Sequence, residues 1–259
     1  MAGSECIAAG GGESVHDHFS AIGFYLPRGT NPLVLAGEAV RQGARHPGGV
    51  PGITVLTHAW DAGAGLGIWA VTHEERKDLL TAYPVFQATV RKPFALDEME
   101  WDGSEAVARG RLDGVPVAFH VSNYCRDSFW EVPPGVAGSA AIAGIGYGAR
   151  LVRSGAAGKR VAPGELAPVH PESKRFNQED CDYAFHGLVT QASLIRNPVT
   201  YVRLWRLTLV GDRPAPWELE VILPRAWLRR PWFFSRPRPG SHVAGLCWLQ
   251  GEFTPNRAP

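Results

Sequence analysis

The amino-acid sequence predicts a mainly β protein, α+β overall, in which a small N-terminal strand–helix–strand–strand unit precedes two tandem OB-like units. Each OB-like unit is expected to be a small β-barrel or one sheet of a sandwich. Short runs rich in Val, Ile, Phe, Tyr and Trp alternate with Gly- and Pro-rich turns. Helical spacing of apolar residues is confined to the N-terminal third, and a set of strand-like runs recurs about one hundred residues later in the chain.

The composition is that of an ordinary globular protein that buries a core. The chain has 259 residues, 45% of them hydrophobic, and a net charge of +1, so no overall attraction to nucleic acid or membrane is expected. Its four cysteines show no C-x-x-C spacing, which favours free thiols over disulfides or a zinc site. Because we find no signal-peptide pattern and no apolar run that could span a membrane, we expect a cytoplasmic protein.

Residues 15–83 are predicted to form the small α/β unit, behind a disordered tail at residues 1–14. Apolar residues at helical spacing predict a helix over residues 33–42. A capping-box pattern that starts at Thr72 predicts a second helix over residues 73–82. Strand composition predicts strands at 18–26, 53–57 and 66–71.

Residues 84–152 and 183–256 are predicted to be two copies of one β unit, joined by a linker at residues 153–182. Three segments align between the copies. The first aligns Phe86 and Val90 with Phe185 and Val189, and the second aligns Val117, Phe119 and Val121 with Leu219, Val221 and Leu223. The third aligns Ile142–Ile145 and Tyr147 with Val243–Leu246 and Trp248. The offsets of 99, 102 and 101 residues differ little, as insertions confined to loops would produce. Within the first copy, Asp113-Gly114 predicts a tight hairpin.

Each copy has to bury one face of its strands and to protect its edges. A small closed barrel does both, and the glycines between Gly144 and Gly148 would allow a tight bend in the closing strand. A two-sheet sandwich, with one sheet from each copy, is the alternative.

Several short motifs resemble a family of uncharacterised bacterial proteins. In the C-terminal part these are Asn197-Pro198, Trp205, Glu218–Val221, Pro224, Pro239-Gly240 and Gly245–Gly251. The N-terminal part is similar through Ile22–Phe24, the Ala-rich helix that ends at Gly43, Trp60 and Gly67–Trp69. The resemblance implies a bacterial protein and no particular activity, so function has to be inferred from the residues.

Glycine and histidine motifs give weak candidates for a cofactor or a metal. Gly63-x-Gly65-x-Gly67 lacks the G-x-G-x-x-G spacing and precedes a strand, which is typical of a hairpin turn. His16-x-His18 has no third ligand nearby, and the motif that begins at His73 departs from the H-E-x-x-H pattern, so surface positions are expected. We predict no cofactor and no metal.

Two further clusters are more typical of structure than of catalysis. Cys181 and His186 could supply a thiol and a base, but nothing in the sequence supplies an oxyanion hole. A buried thiol and a strand histidine are therefore favoured. The carboxylates Asp97, Glu98, Glu100 and Asp102 lack the spacing of a calcium loop and are expected in a solvated loop.

The strongest candidate site is aromatic and basic, and it lies in the second copy. Residues 185–259 contain ten basic and four acidic residues, whereas residues 1–150 contain 11 basic and 16 acidic ones. In the second copy Trp205, Trp217, Trp227, Trp232 and Trp248 alternate with Arg203, Arg206, Arg225, Arg229, Arg230, Arg236 and Arg238. The predicted binding residues are Trp227, Arg229, Arg230, Trp232, Phe233 and Arg236, because this strip is the hardest to place in a core. The alternative is that the tryptophans are core and the arginines cover them.

Three functions remain open. The first is a non-enzymatic binding module without catalytic residues, whose partner is another protein or a second copy of the chain. The second is single-stranded nucleic-acid binding, in which bases stack on Trp227 and Trp232 and arginines meet the phosphates. The third is an enzyme with a site between the N-terminal unit and the first β unit, near His58, His120 and Cys125. That third function requires these residues to lie close together.

Overall fold

The computed structural model of the protein describes residues 18–25, 33–129, 132–153, 161–169, 181–229 and 236–256. The helices in these ranges are α1 (His18–Ala21), α2 (Leu33–Gln42) and α3 (Tyr124–Asp127), with a 3-10 helix at Arg225–Trp227. The strands are β1 (Ala44–Val50), β2 (Ile53–Gly63), β3 (Leu66–His73), β4 (Leu79–Phe86), β5 (Lys92–Asp102), β6 (Glu105–Leu112), β7 (Val115–Val121), β8 (Ala137–Val152), β9 (Leu166–Pro168), β10 (Asp182–Arg196), β11 (Arg203–Gly211), β12 (Trp217–Pro224), β13 (Leu228–Arg229) and β14 (His242–Pro255). The mainly β prediction is confirmed. None of the described helices is long and apolar enough to cross a membrane.

The N-terminal unit is an antiparallel meander, β1–β2–β3–β4, with α2 packed against one face. Paired residues of neighbouring strands share a face, so Trp69 and Tyr83 lie on one side and Ile68 and Ala70 on the other. The first pair packs with barrel residues, and the second packs with Leu35 of α2. The sheet is therefore buried on both faces.

The beginning of this unit differs from the prediction. The strand expected from residue 18 is the short helix α1, which is followed by a turn at Ile22-Gly23. Ile22 and Phe24 are fully buried, so the apolar residues that suggested a strand anchor this turn to the core. In contrast, α2 has the predicted bounds, and the amide of Gly43 donates to the carbonyl of Ala39 at its end (2.8 Å).

The helix predicted over residues 73–82 is wrong. His73 ends β3, and its ring Nδ1 accepts hydrogen bonds from the amides of Glu75 and Arg76 (3.1 and 3.2 Å). The side chain thereby closes a tight turn that leads into β4, where the capping-box pattern indicated a helix start. Pro84 lies inside β4, because this strand is at the edge of its sheet and needs no amide donor on its outer side.

The remaining long strands form two closed rings of five strands that share two members. β8 and β14 run antiparallel along almost their whole length. The first ring continues from β8 through β5, β6 and β7 back to β14, and the second continues through β12, β11 and β10 back to β14. Both rings are closed barrels without free edges. The OB-like barrels are therefore present, and they lie side by side with a shared wall.

The two barrels are built alike. β5–β6–β7 and β10–β11–β12 are antiparallel meanders, followed in the chain by β8 and β14. Each closing strand pairs in parallel with the last strand of the other meander, β8 with β12 and β14 with β7. Gly146 faces Cys247 in the shared wall, and these residues are 101 positions apart, the offset aligned for the closing strands. The duplication stays a prediction that this two-fold pattern supports.

One of the three aligned segments is wrong. Phe185 and Val189 lie in β10, whereas Phe86 ends β4 and Val90 lies between strands. The strand in the position of β10 is β5, since both are first strands of a meander and both pair antiparallel with the closing strand of their own copy. Residues 87–91 instead carry the chain from the N-terminal sheet to the first barrel.

Candidate functional site

The structure describes three of the six predicted binding residues. Trp227 ends the 3-10 helix and is half-buried, Arg229 lies in β13, and Arg236 precedes β14. The two arginines are exposed. The other three predicted residues, Arg230, Trp232 and Phe233, lie outside the described residues.

The ring of Trp227 is packed and offers little stacking surface. It contacts the edges of both apolar clusters and meets the ring of Tyr25 at 82°, with centroids 6.4 Å apart. Tyr25 itself is 44% exposed, and Tyr201 is 68% exposed. These two tyrosines are the exposed aromatic side chains beside Trp227, and the guanidinium of Arg196 lies over the ring of Tyr201, 5.9 Å from its centroid. Both lie outside the Trp-rich runs, and no local pattern in the sequence marks them as part of a site.

Tyr25 borders an open depression of about 730 Å³ on the surface of the second barrel. The other described lining residues are Val202, Arg203, Pro224, Arg225, Ala226 and Leu228. The depression lies where β11 begins and β12 ends, since Leu204 pairs with Pro224. Its lining combines an aromatic ring, aliphatic side chains and two guanidinium groups, which suits a ligand with a planar part and a negative charge.

Two arginines of the second barrel face other arginines across strand pairs. Arg196 pairs with Arg203 across β10 and β11, and Arg229 pairs with Arg150 across β13 and β8. Like charges directly opposite each other destabilise a sheet. Within the described part of the chain, Arg203, Arg225 and Arg229 form no ion pair. An anionic ligand would relieve this repulsion.

A buried asparagine fixes the position of Tyr25. The side chain of Asn197 donates from Nδ2 to the carbonyl of Ile22 (3.0 Å), and its Oδ1 accepts from two amides of the following turn. Thr200 Oγ1 donates to the carbonyl of Gly23 (2.7 Å). These bonds hold the turn between β10 and β11 against the segment that carries Tyr25. An Asn-Pro dipeptide such as Asn197-Pro198 is typical of a turn, but the sequence gives no sign of the distant partner of this asparagine.

Three other tryptophans and one arginine of the Trp and Arg set are structural. Trp205, Trp217 and Trp248 are buried in the core. Arg206 donates to Glu220 Oε2 from Nε (3.1 Å) and Nη2 (2.7 Å), so its charge is neutralised within the fold. For these residues the interpretation as core and cover is the correct one.

His58, His120 and Cys125 do not form one site. His58 is hydrogen-bonded to Thr72 Oγ1 (3.0 Å) and projects from the face of the N-terminal sheet that packs on α2. His120 contacts Tyr83, on the opposite face of that sheet, with ring centroids 4.7 Å apart. The thiol of Cys125 donates to the carbonyl of Ser104 (3.0 Å), and burial raises its pKa to about 12, so it is not a ready nucleophile.

Cys181 and His186 are likewise separate. Cys181 directly precedes β10 and His186 lies five residues further on, roughly 15 Å away at the rise of an extended strand. Both side chains are fully buried, as the favoured interpretation expected. His186 contacts the ring of His242 (centroids 5.6 Å apart). At this separation the thiol of Cys181 and the ring of His186 do not pair with each other.

The acidic cluster lies in a strand, and the predicted loop is absent there. Asp97, Glu98, Glu100 and Asp102 all belong to β5, which has a bulge between Leu96 and Glu98. Glu100 pairs with Arg109 (3.1 Å) across β6, which explains part of the cluster as strand pairing. In the ranges that the structure describes, no group of three or more His, Cys, Asp or Glu side chains is arranged to hold a metal ion.

His18 is half-buried, contrary to the expected surface position. Its ring stacks on Trp248, with centroids 4.4 Å apart and 9° between the planes. Its Nε2 is hydrogen-bonded to the hydroxyl of Tyr147 (2.6 Å), which in turn donates to Asp182 (2.6 Å). This network fastens α1 to the shared wall of the barrels. His16 lies outside the described residues.

Comparison with known proteins gives a distant structural likeness and no family. No family model matches the sequence, and no curated protein matches it. A solved structure of the cytoplasmic molybdate-binding protein ModG, with molybdate bound, matches at 13% sequence identity and a TM-score of 0.31. The match covers 62% of this chain and 95% of that chain. The resemblance to uncharacterised bacterial proteins stays a prediction.

Proposed function

We propose that the protein is a non-enzymatic binding module that holds single-stranded nucleic acid on the surface around Tyr25, Arg203 and Arg225. The observation that carries this proposal is the set of unpaired arginines beside exposed tyrosine rings. Bases stack on aromatic faces while guanidinium groups neutralise phosphates, so this class of ligand uses both features at once.

A second copy of the chain, one of the two partners ranked first from the sequence, fits this surface less well. A two-fold symmetric contact places the same patch on both subunits. Such a contact would bring the arginines of one copy towards the same arginines of the other, namely Arg196, Arg203, Arg225 and Arg229. This adds repulsion between the copies to the repulsion between paired arginines within each sheet. An anionic chain removes this repulsion, and self-association increases it.

The experiment is a titration of fluorescently labelled oligo-dT and oligo-rU, followed by anisotropy over a series of salt concentrations. The double variant Arg203→Gln/Arg225→Gln should weaken binding and lower the slope of log K against log salt by about 1.4, that is ~0.7 for each lost phosphate contact. The matched control is Arg41→Gln/Arg76→Gln, which removes the same charge from exposed arginines that already pair with Glu38 and Asp78. The control should leave the slope unchanged.

Stacking is tested separately by Tyr201→Ala, which should cost about 1–3 kcal/mol of binding free energy if a base stacks there. Trp101→Ala is the control, because Trp101 is 46% exposed on β5, outside this surface. Absence of salt-dependent binding at low ionic strength would refute the proposal. Equal effects of the test and control variants would do the same for the assigned surface.

A further inference from the structure

A cleft between the end of the N-terminal sheet and the shared wall has a volume of about 220 Å³. Its lining includes Phe86, Arg91, Ser122, Ala141, Gln250 and Glu252. None of these residues lines the depression beside Tyr25, so the two features are separate.

Gln250 presents a buried acceptor that lacks a partner in the described part of the chain. Its side chain is 1% exposed, and its Nε2 donates to the carbonyl of Phe86, which fixes the orientation of the amide. Its Oε1 accepts no hydrogen bond. His120, its pairing partner on β7, is also 1% exposed, and neither ring nitrogen has a described partner. Because buried polar groups are normally hydrogen-bonded, an unpaired acceptor that lines a cleft indicates a donor supplied from outside.

Charges of both signs meet beside this acceptor. Arg91 pairs with Glu252 (3.3 Å) and donates to Thr254 Oγ1 (2.9 Å). Glu252 also lies 3.7 Å from Arg126, which pairs with Asp127 (2.9 Å). Of these four residues, Arg91 and Glu252 line the cleft, so the cleft presents one positive and one negative group to a ligand that carries one charge of each sign.

We propose that this cleft binds a small zwitterion of the amino-acid class. Its ammonium group donates to Gln250 Oε1 and Glu252, and its carboxylate meets Arg91. Ser122 Oγ donates to the carbonyl of Gly251 (2.9 Å), which leaves the hydroxyl oxygen as a further acceptor for the ammonium group. The volume of about 220 Å³ corresponds to roughly seven water molecules at ~30 Å³ each. An amino acid with a short side chain fits this space.

The test is isothermal titration calorimetry with glycine, L-alanine and L-serine as probes, and with acetate and ethylamine as their single-charge halves. At least one amino acid should bind, and both halves should bind at least about tenfold more weakly, since each satisfies only one pole of the site. Ala141→Leu fills the cleft and should abolish binding. Ala137→Leu, on an exposed position of the same strand, should leave binding intact.

Gln250→Leu removes the unpaired acceptor and should weaken binding by about tenfold or more. If that variant does not fold, Ala141→Leu and Ala137→Leu decide. The proposal is overturned if none of the three amino acids binds at millimolar concentration, or if Ala141→Leu binds them as the unaltered protein does. Equal affinity for acetate or ethylamine would overturn the zwitterionic class.

Discussion

Glu220 is a buried carboxylate that ties three parts of the chain together. It lies on β12 and is 6% exposed. It accepts hydrogen bonds from Arg206 on β11, and from the amide (3.0 Å) and hydroxyl of Thr89 in the segment that leaves the N-terminal sheet. A single side chain thus links that segment to the second barrel, although Thr89 and Glu220 are 131 positions apart.

Replacing Glu220 by Gln should destabilise the protein by about 2 kcal/mol, because the partly buried guanidinium of Arg206 loses its counter-charge. Glu218→Gln is the matched control on the same strand. Glu218 is 40% exposed and pairs with Lys92, so its loss should cost less than about 1 kcal/mol. Urea unfolding of both variants measures the difference, and equal midpoints would contradict the structural role of Glu220.

At the scale of residues, the sequence predicted a binding site in the region of the candidate surface, but it selected only some of the side chains found there. Trp227 and Arg229 do lie beside the candidate surface. Tyr25 belongs to it only because Asn197 bonds to Ile22, a contact between residues 175 positions apart. Local patterns carry no information on such a contact, since a buried side chain of Asn and an exposed one follow the same turn propensity.

At the scale of elements, the shared wall depends on glycines in β8. A Cβ atom built on Gly144 would lie 2.9 Å from Cys247 Sγ and 3.2 Å from Val221. Both neighbours are fully buried and have little room to move. These contacts explain the Gly-rich closing strand of the first copy as a requirement for close approach.

Gly144→Ala should therefore destabilise the protein by about 1–3 kcal/mol through overpacking. Gly148→Ala on the same strand is the control, because nothing lies within 4 Å of its added Cβ. That change should be neutral or stabilising by roughly 0.5 kcal/mol. Thermal unfolding of the two variants distinguishes them, and equal melting temperatures would show that the wall is not tightly packed at Gly144.

At the scale of elements, strands defined by local sequence patterns were predicted correctly, and strands defined by their pairing partners were not. Strands with clear alternation and tight turns, such as the hairpin at Asp113-Gly114, were predictable from the residues themselves. The first half of β4 was mistaken for the end of a helix, because this segment is a strand through its pairing with β3, which overrode the local capping pattern. The exchange of β8 and β14 between barrels was not predictable, since an alternating strand has the same sequence pattern whichever neighbour it pairs with.

At the scale of the whole molecule, burial keeps three histidines neutral. Burial lowers the pKa of His58, His120 and His186 below its ordinary value. For His120 the nearby Glu105 carboxylate opposes this effect only in part. In the unfolded chain the same side chains take up protons below about pH 6.5. The unfolded state therefore binds more protons in acid, and the folded state loses stability there.

The free energy of unfolding should accordingly fall as the pH decreases from 7 to 5. His120 contributes at most about 1.4 kcal/mol per pH unit to this slope. His120→Phe, which keeps a ring between Tyr83 and Trp248, should flatten the pH dependence by that contribution. Urea titrations at several pH values provide the measurement. An unchanged slope would mean that His120 is protonated equally in both states.

The shared wall also constrains how the chain can fold while it is being synthesised. The ribosome releases the first barrel's β5, β6, β7 and β8 well before β14, yet that barrel closes only when β14 lies between β7 and β8. The second barrel also closes only when β14 pairs with β10. Until residues 242–255 emerge, both sheets keep open edges that can pair with other chains. The two barrels therefore complete their folding together, when these last residues become available.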